Sequence, residues 1–146
     1  MPELVTFFSG RYIDRAQALR RDPEALQRAW DAPETRLLVV WDERCLVRED
    51  VAARLTHAEL AGRVPALAAS VFLGTENGHA LFAVEIEARA EPDDLGPGYF
   101  AGLRELVNRV PEREAALLSY ARAMVHWHGA HRWCGACGAP NDRHEG

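Results

Sequence analysis

The amino-acid sequence predicts an α+β fold. Two segments have the pattern of β-hairpins, and one stretch near the C-terminus has the spacing of a long amphipathic helix. Strands and helices are mixed along the chain without regular β-α-β alternation. The chain has 146 residues, of which 48% are hydrophobic and 27% charged. These values are typical of a globular domain with a sizeable core. We therefore expect one main domain with an appendage.

The first elements are a short strand and two helical segments. Residues 4–8 are mostly apolar and precede Ser9-Gly10, a pattern typical of a strand that ends in a turn. Asp14 can cap a helical turn that extends to residue 19. Asp22-Pro23 supplies an N-cap and a first-position proline for a helix that places Trp30 in the core.

Two β-hairpins are predicted. The segment RLLVVW at 36–41 and the apolar run at 45–47 flank the charged residues 42–44, which would form the first connection. Asn77-Gly78 lies between two apolar runs and favours a type I′ turn, so it predicts the second hairpin. In its second strand Phe82, Val84 and Ile86 alternate with Ala83, Glu85 and Glu87. This alternation predicts one core face and one solvent face.

The region between the hairpins is less regular, and the last third is helical. Residues 51–69 contain Gly62 and Pro65 and are predicted to form a loop with one helical turn. The spacing of Phe100, Leu103 and Val107 predicts a short amphipathic helix. A longer helix is predicted to begin at Pro111 and to run to about residue 130. Its buried stripe would consist of Leu117, Leu118, Ala121, Met124, Val125 and His128.

Charge and cysteine content exclude several classes of protein. The 22 acidic and 17 basic residues give a formal net charge of -5, which disfavours binding to nucleic acid or to anionic membranes. Unbroken apolar runs reach only five residues, so neither a signal peptide nor a membrane span is expected. Three cysteines, two of them close together, do not form a disulfide framework, and we expect a protein of the reducing cytoplasm.

The residues with the clearest chemistry are Cys134 and Cys137. They form a Cys-x-x-Cys pair with a glycine after each cysteine, the pattern of a zinc knuckle in which two thiolates turn toward one metal ion. Zinc is the expected metal because soft thiolates suit it. A closed zinc site needs four ligands, and a second knuckle would lie roughly 15 to 20 residues further on. The sequence ends nine residues after Cys137, before that position.

Other interpretations of the cysteines and histidines remain open. The cysteine pair could be a thioredoxin-type redox pair or could be inert, His144 could be a third ligand, and Cys45 is expected to be a buried apolar side chain. His126 and His128 are two residues apart, roughly 200° around a helix, and cannot converge on one metal. His128 and His131 share a face, and we expect them to cap the helix C-terminus.

No other catalytic pattern is present in the sequence. It has no Walker loop, no G-x-S-x-G elbow and no H-E-x-x-H motif. Glu91, Asp93 and Asp94 lack the regular spacing of oxygen ligands for a divalent cation, and we interpret them as a solvated loop. Trp127 and Trp133 are expected to cover the junction between the helix and the knuckle.

The segment at 117–140, LLSYARAMVHWHGAHRWCGACGAP, resembles the NADH pyrophosphatase group of Nudix hydrolases. Members of that group have an ARAL-type helix, a Trp-His pair and a Cys-x-x-Cys-Gly turn in this order. FFSG at 7–10 with Asp14-Arg15, and Phe-Leu-Gly at 72–74, are similar to the N-terminal Nudix-like domain of the group. The resemblance covers essentially the whole chain.

The resemblance implies an N-terminal α+β domain, then a four-cysteine zinc ribbon, then a Nudix domain that uses Mg²⁺ or Mn²⁺ to cleave NAD(H) to nicotinamide mononucleotide and AMP. Members also remove NAD caps from RNA and form homodimers. Cys134 and Cys137 match the first two zinc ligands, and no other residue matches a functional position. Arg104-Glu105-Leu106 is followed by Val107 and not by the paired glutamates of a Nudix box, and the SQPWPFP signature is also absent.

We therefore expect residues 1–130 to form the Nudix-like domain and residues 131–146 to form the first half of a zinc ribbon. The expected function is the N-terminal, noncatalytic region of an NAD(H) diphosphatase, whose NAD(H) site would lie in the Nudix domain. A stand-alone interaction or dimerisation module is the second hypothesis. A small zinc-binding nucleic-acid module is the third, and the net charge of -5 disfavours it.

Overall fold

A computed structural model describes residues 13–141 and confirms the α+β class. The predicted strand at 4–8 and His144 lie outside the described residues. The elements in chain order are α1 (Gln17–Arg20), α2 (Pro23–Asp31), β1 (Arg36–Trp41), β2 (Arg44–Arg48), β3 (Val51–Ala52), a 3-10 turn (Leu67–Ala69), β4 (Val71–Glu76), β5 (His79–Glu85), β6 (Tyr99–Ala101), α3 (Leu103–Arg109) and α4 (Glu112–Ala130).

One mixed sheet organises the described part of the chain. Its strands follow the order β3-β2-β1-β5-β4, and β6 also pairs with β2. The pairing of β1 with β5 is parallel, with Leu37 opposite Phe82 and Val39 opposite Val84. The other pairings are antiparallel. The chain therefore crosses from β1 to β5 through β2, β3 and β4.

Both predicted hairpins are confirmed. The first joins β1 and β2 through Asp42 and Glu43, which have φ of 47° and 59°. The second joins β4 and β5 through Asn77 and Gly78, with φ of 52° and 80°. Two successive residues with positive φ give the turn the twist of the strands that it connects. Each connection is thus determined by local sequence.

The sheet is buried on both faces, so the solvent face predicted for β5 is wrong at Ala83, whereas Glu85 and Glu87 are exposed as predicted. Phe82 and Val84 pack in a cluster that contains Trp30 of α2. On the other face, Ala83 is fully buried in a cluster with residues of α4. Glu85, the last residue of β5, is exposed, as expected. A strand that runs parallel to its neighbour in the middle of a sheet usually has both faces covered.

The helix α2 agrees with the prediction. The carboxylate of Asp22 accepts a hydrogen bond from the amide of Ala25 at 3.0 Å, and Pro23 is the first helical residue. This cap satisfies one of the amide groups that a helix start leaves without an intrahelical acceptor. Trp30, at 6% exposure, lies in the core and meets Phe82 edge to face at 4.9 Å.

The helix α4 ends at Ala130, as predicted, and Pro111 is its N-cap and not its first helical residue. Met124 is only partly buried. The other members of the predicted stripe are buried: Leu117, Leu118, Ala121, Val125 and His128. The stripe packs on β1, β3, β4 and β5, so α4 covers one face of the sheet.

Two element predictions need correction. Phe100 lies in β6 and not in a helix, and α3 buries Leu106 while Val107 is 43% exposed. The apolar face of α3 packs against α4. The residue that α3 buries is therefore Leu106, one position before the predicted Val107. Residues 51–69 are mostly loop, but they include β3, because the turn at Glu49 and Asp50 folds the chain back onto β2.

The segment before α1 lies against the edge of β4. The carboxylate of Asp14 accepts a hydrogen bond from the amide of Ala16 at 2.8 Å, and the helical turn itself begins only at Gln17. The backbone of Asp14 also pairs with Thr75 through hydrogen bonds of 2.7 and 3.2 Å. Gly74 allows this close approach, because a Cβ atom there would lie 2.1 Å from the carbonyl oxygen of Asp14.

We predict that Gly74→Ala lowers the free energy of unfolding by about 3 kcal/mol or more. Gly74 has a φ of 145°, so an alanine would meet both backbone strain and the carbonyl of Asp14. Gly62→Ala is the matched control: Gly62 has a φ of 77°, and a methyl group there would meet no atom within 4 Å. It should cost only about 1 kcal/mol. Urea unfolding followed by circular dichroism measures both, and equal losses would contradict the close-approach argument.

An arginine and two glutamates connect three distant parts of the chain. The guanidinium of Arg54 binds both carboxylate oxygens of Glu76, at 2.6 and 2.9 Å, and donates to Glu114 at 3.1 Å. All three side chains are largely buried, with exposures of 23%, 13% and 14%. Hydrogen bonding to Arg54 lowers the pKa of the Glu76 carboxyl. Sequence patterns do not reveal this trio, because nothing in the local sequence connects positions 54, 76 and 114.

We predict that Arg54→Met lowers the free energy of unfolding by about 2 kcal/mol at pH 7, because two buried carboxylates lose their cation. The folded pKa of Glu76 is depressed, so the stabilisation is present above the unfolded pKa of about 4.3 and is lost as the pH falls through the folded pKa. The loss caused by Arg54→Met should therefore shrink in acid.

Urea unfolding of the wild type and of Arg54→Met at a series of pH values measures this dependence. Arg28→Met is the control, since the ion pair of Arg28 with Glu24 is 4.0 Å long and well exposed. That change should cost about 0.5 kcal/mol or less. A loss for Arg54→Met that does not change with pH would contradict the role assigned to Glu76.

Candidate metal-binding site

The two predicted zinc ligands lie on a tight turn directly after α4. The amide of Gly138 donates to the carbonyl of Cys134 at 2.9 Å, and the amide of Cys134 donates to the carbonyl of Ala139 at 2.7 Å. Gly138 has a φ of 70°, a conformation that glycine adopts without a steric penalty. A bridge between Trp133 and Pro140 closes the turn. The backbone thus holds both cysteines on one loop.

The turn also favours a thiolate at Cys134. Hydrogen bonds from the backbone amides of Ala136 and Cys137, and from the Cys137 thiol, lower the pKa of the Cys134 thiol. A thiolate is the form of cysteine that binds a metal ion. These amides therefore prepare Cys134 as a ligand, and the donor set suits zinc.

The described residues supply two thiol ligands and no complete site. Within residues 13–141 no group of three or more His, Cys, Asp or Glu side chains is placed to hold a metal ion. Cys134 is partly buried and Cys137 is exposed, so the turn is open to further ligands. Two thiols are half of the ligands that a closed zinc site requires.

The histidines near the end of α4 have separate roles. His131 is the C-cap residue, and its Nδ1 lies 2.8 Å from the carbonyl oxygen of Trp127. The predicted capping role of His131 is therefore confirmed. His128 is buried, and Nδ1 of His126 lies 3.6 Å from the carboxylate of Glu43. The side chains of these histidines do not converge on one point.

The turn is attached to the helix by contacts of His131 and Asn141. The side-chain amide of Asn141 donates to the carbonyl of His131 at 2.9 Å. The rings of Trp127 and His131 stack with their centroids 4.6 Å apart. Trp127 and Trp133 are 52% and 61% exposed. Of the two, Trp127 contacts the junction between the helix and the turn, through its stacking on His131. This end of the described chain has an aromatic surface.

The remaining candidates are structural. Cys45 is buried, its thiol donates to the carbonyl of Leu118 at 3.6 Å, and burial raises its pKa to about 12, so it is an inert core residue, as predicted. The acidic loop is exposed, and two of its carboxylates form ion pairs with arginines. Glu91 lies 3.9 Å from Arg44, and Asp94 lies 3.0 Å from Arg63.

The fold is that of a domain related to Nudix enzymes. Residues 34–127 match the family described as NADH pyrophosphatase-like rudimentary NUDIX domain. The match spans the region from just before β1 to the last turn of α4 and covers more than half of the chain. The chain belongs to this family, which confirms the resemblance found in the sequence.

Curated relatives agree with this membership. The chain is 35% identical over 129 residues to the NAD-capped RNA hydrolase NudC of Mycobacterium bovis, an alignment that covers 87% of this chain and 40% of the relative. It is 34% identical over 68 residues to the enzyme of the same name from Stutzerimonas stutzeri, covering 47% of this chain and 24% of the relative. The human NAD(P)H pyrophosphatase NUDT13, mitochondrial, is 39% identical over 46 residues, covering 32% of this chain and 13% of the relative. The chain thus spans less than half the length of each.

No helix within residues 13–141 is both long enough and apolar enough to cross a lipid bilayer. The longest, α4, has charged residues in its first turn and several histidines in its last turns. This finding agrees with the sequence, which has no apolar run of the length that a membrane span requires.

We predict that chelation of zinc leaves the fold intact. The knuckle is exposed and its hydrogen bonds are local, whereas the two core clusters are built from the sheet, α2, α3 and α4. A domain with its own core does not need a metal to fold, in contrast to a zinc-finger peptide. Far-UV circular dichroism and the urea midpoint should be unchanged by EDTA.

Cys134→Ser/Cys137→Ser is the matched protein control and should have the same midpoint as the wild type with EDTA. A cooperative loss of helical signal on addition of EDTA would show that the metal, and not the core, stabilises the domain.

Proposed function

We propose that this chain is the N-terminal, noncatalytic region of an NAD(H) diphosphatase. Such an enzyme hydrolyses NAD(H) to nicotinamide mononucleotide and AMP, and we propose that the complete protein also removes NAD caps from RNA. The observation that carries the proposal is the 35% identity over 129 residues to a protein named NAD-capped RNA hydrolase. Membership of a rudimentary NUDIX family supports the noncatalytic role.

The distribution of carboxylates supports the noncatalytic role. Cleavage of a pyrophosphate bond depends on metal ions held by converging carboxylates. Within residues 13–141 no such group is present, and the sequence contains no Nudix box. In our proposal the Mg²⁺ or Mn²⁺ ions and the NAD(H) site belong to a Nudix domain outside this chain.

We also propose that Cys134 and Cys137 supply two of the four ligands of a structural zinc ion. Zinc would fix the direction in which the chain continues after α4, because Asn141 at the end of the turn donates hydrogen bonds to the carbonyls of His131 and Arg132. The other two ligands would come from a second knuckle or from a second copy of the chain. The three cysteines are free thiols, which suits the reducing cytoplasm that we propose as its location.

A stand-alone dimerisation module is the second candidate. The exposed Trp127 and Trp133 favour it, because large aromatic side chains are enriched at protein interfaces. If two copies met at this end, their four cysteines could complete one zinc site. A homodimer is also what we propose for the complete diphosphatase, so dimerisation alone does not distinguish the two candidates.

We predict that the purified chain does not convert NADH to AMP in the presence of Mg²⁺ or Mn²⁺, because residues 13–141 contain no cluster of carboxylates that could hold the metal ions. Chromatographic detection of AMP measures this directly. The full-length NudC of Mycobacterium bovis serves as the positive control. Turnover by this chain that a mutation within residues 1–146 abolishes would contradict the proposal.

A chimera distinguishes the two candidates. The region of the Mycobacterium bovis enzyme that aligns with this chain is replaced by the corresponding 129 residues. If the chain is an N-terminal region of this kind of enzyme, the chimera should fold and retain activity within about tenfold, a change of about 1.4 kcal/mol. Loss of activity in a chimera that is folded and loaded with zinc would favour the stand-alone module.

A further inference from the structure

The two sulfur atoms of the knuckle face each other. The thiol of Cys137 donates a hydrogen bond to the sulfur of Cys134, as do the backbone amides of Ala136 and Cys137. The backbone between them forms one closed turn, in which the amide of Gly138 donates to the carbonyl of Cys134 at 2.9 Å. In a turn that is closed over four residues, side chains three positions apart lie on the same side. The backbone of the turn therefore brings the two sulfurs together.

This arrangement is close to what a disulfide requires. A disulfide needs Cα atoms within about 7 Å of each other and Cβ atoms that point toward each other. Positions three apart in such a turn have Cβ atoms separated by about 5 to 6 Å, so a small adjustment within the turn completes the bond. The turn is free to adjust, because a Cβ atom added at Gly135 or Gly138 would meet no other atom within 4 Å.

The third cysteine does not compete with this pair. Cys45 is 1% exposed, and its thiol donates to the carbonyl of Leu118. Burial raises the pKa of Cys45 to about 12, so it is not a reactive thiolate at neutral pH. Cys137 is exposed and Cys134 is partly buried, so a small reagent in solution reaches the pair. Oxidation of the folded chain is therefore confined to the knuckle.

We propose that Cys134 and Cys137 form a reversible disulfide with a small organic disulfide as the oxidant, in a chain that holds no zinc. The thiolate of Cys134 attacks one sulfur of the oxidant, whose S–S bond breaks and releases the first thiolate. Cys137 then gives its proton to solvent and attacks the sulfur of Cys134, which releases the second thiolate. The two released thiolates take up the protons that the two cysteines lost. Two protein thiols are oxidised, and one disulfide is reduced to two thiols.

Closure of this disulfide excludes zinc. A metal ion binds the thiolate form of cysteine, and the disulfide has no thiolate. In a reducing compartment the dithiol form predominates, and the closed form accumulates only when the ratio of disulfide to thiol rises. The knuckle is thus a redox-sensitive pair at the end of the domain. The disulfide stands without the zinc ligation proposed above, whereas the exclusion of zinc rests on it.

The test titrates closure with mixtures of 2-mercaptoethanol and its disulfide. The full chain, freed of metal with EDTA and kept under argon, is equilibrated at a series of ratios, quenched with acid and alkylated with N-ethylmaleimide. Trypsin cuts after Arg132 and Arg143 and leaves both cysteines in one peptide. Mass spectrometry then separates the closed peptide, the doubly alkylated peptide and the peptide that carries mercaptoethanol.

We expect the folded wild type to accumulate the closed peptide. At a fixed concentration of thiol, half closure should need at least about fivefold less disulfide in the folded chain than in about 6 M urea, because the turn holds the two sulfurs together. The matched controls are Cys134→Ser and Cys137→Ser, which alter side chains outside the core. Each should give a peptide that carries one mercaptoethanol and no closed peptide.

Zinc provides the second measurement. An excess of zinc should slow closure of the folded wild type by at least about tenfold, and EDTA should restore the rate. Closure that zinc does not slow would contradict the zinc ligation and its exclusion, while the disulfide itself would stand, so the two proposals fail separately.

Three results would overturn the disulfide. The first is half closure at the same concentration of disulfide in the folded chain and in urea, which would show that the turn does not hold the sulfurs in place. The second is a wild-type peptide that carries mercaptoethanol on both cysteines. The third is a disulfide between two chains, which electrophoresis without reductant detects.

Discussion

The parallel pairing of β1 with β5 is the constraint on which the rest of the structure depends. Parallel neighbours cannot be joined by a tight turn, so the chain must leave β1, cross the sheet and return in the same direction. Here β2, β3 and β4 lie within that crossing. Because β1 and β5 lie in the interior of the sheet, both of their faces need apolar cover. The helices are arranged to provide it.

Different elements pack on the two faces of the sheet. On one face, Trp30 and the loop around Leu55 and Leu60 pack against Phe82. On the other face, α3 and α4 pack against Leu81 and Ala83. The small side chain of Ala83 faces the helices, and the large ring of Phe82 faces the looser loop side. The small side chain of Ala83 leaves room for the side chains of α4 at this point of the sheet.

The position of α4 determines where the knuckle and a cavity beside the helix lie. Its stripe from Leu117 to Val125 packs the helix on the sheet. The last turns of α4 form one wall of a cavity lined by Val125 and Gly129, and the turn with Cys134 and Cys137 follows the helix. The family match includes most of α4, so this placement belongs to the rudimentary NUDIX domain.

Local sequence by itself determined the turns, the caps and the knuckle. Asn77-Gly78, Asp22-Pro23 and the cysteine turn have structures that depend on residues within a few positions, so patterns of spacing identify them. Tertiary structure decided the rest. The burial of Ala83, the trio around Arg54 and the cavity beside Val125 each depend on residues far apart in sequence. Such contacts form only when the crossing from β1 to β5 brings distant segments together. The periodicity of a local segment does not predict which distant segment it will contact.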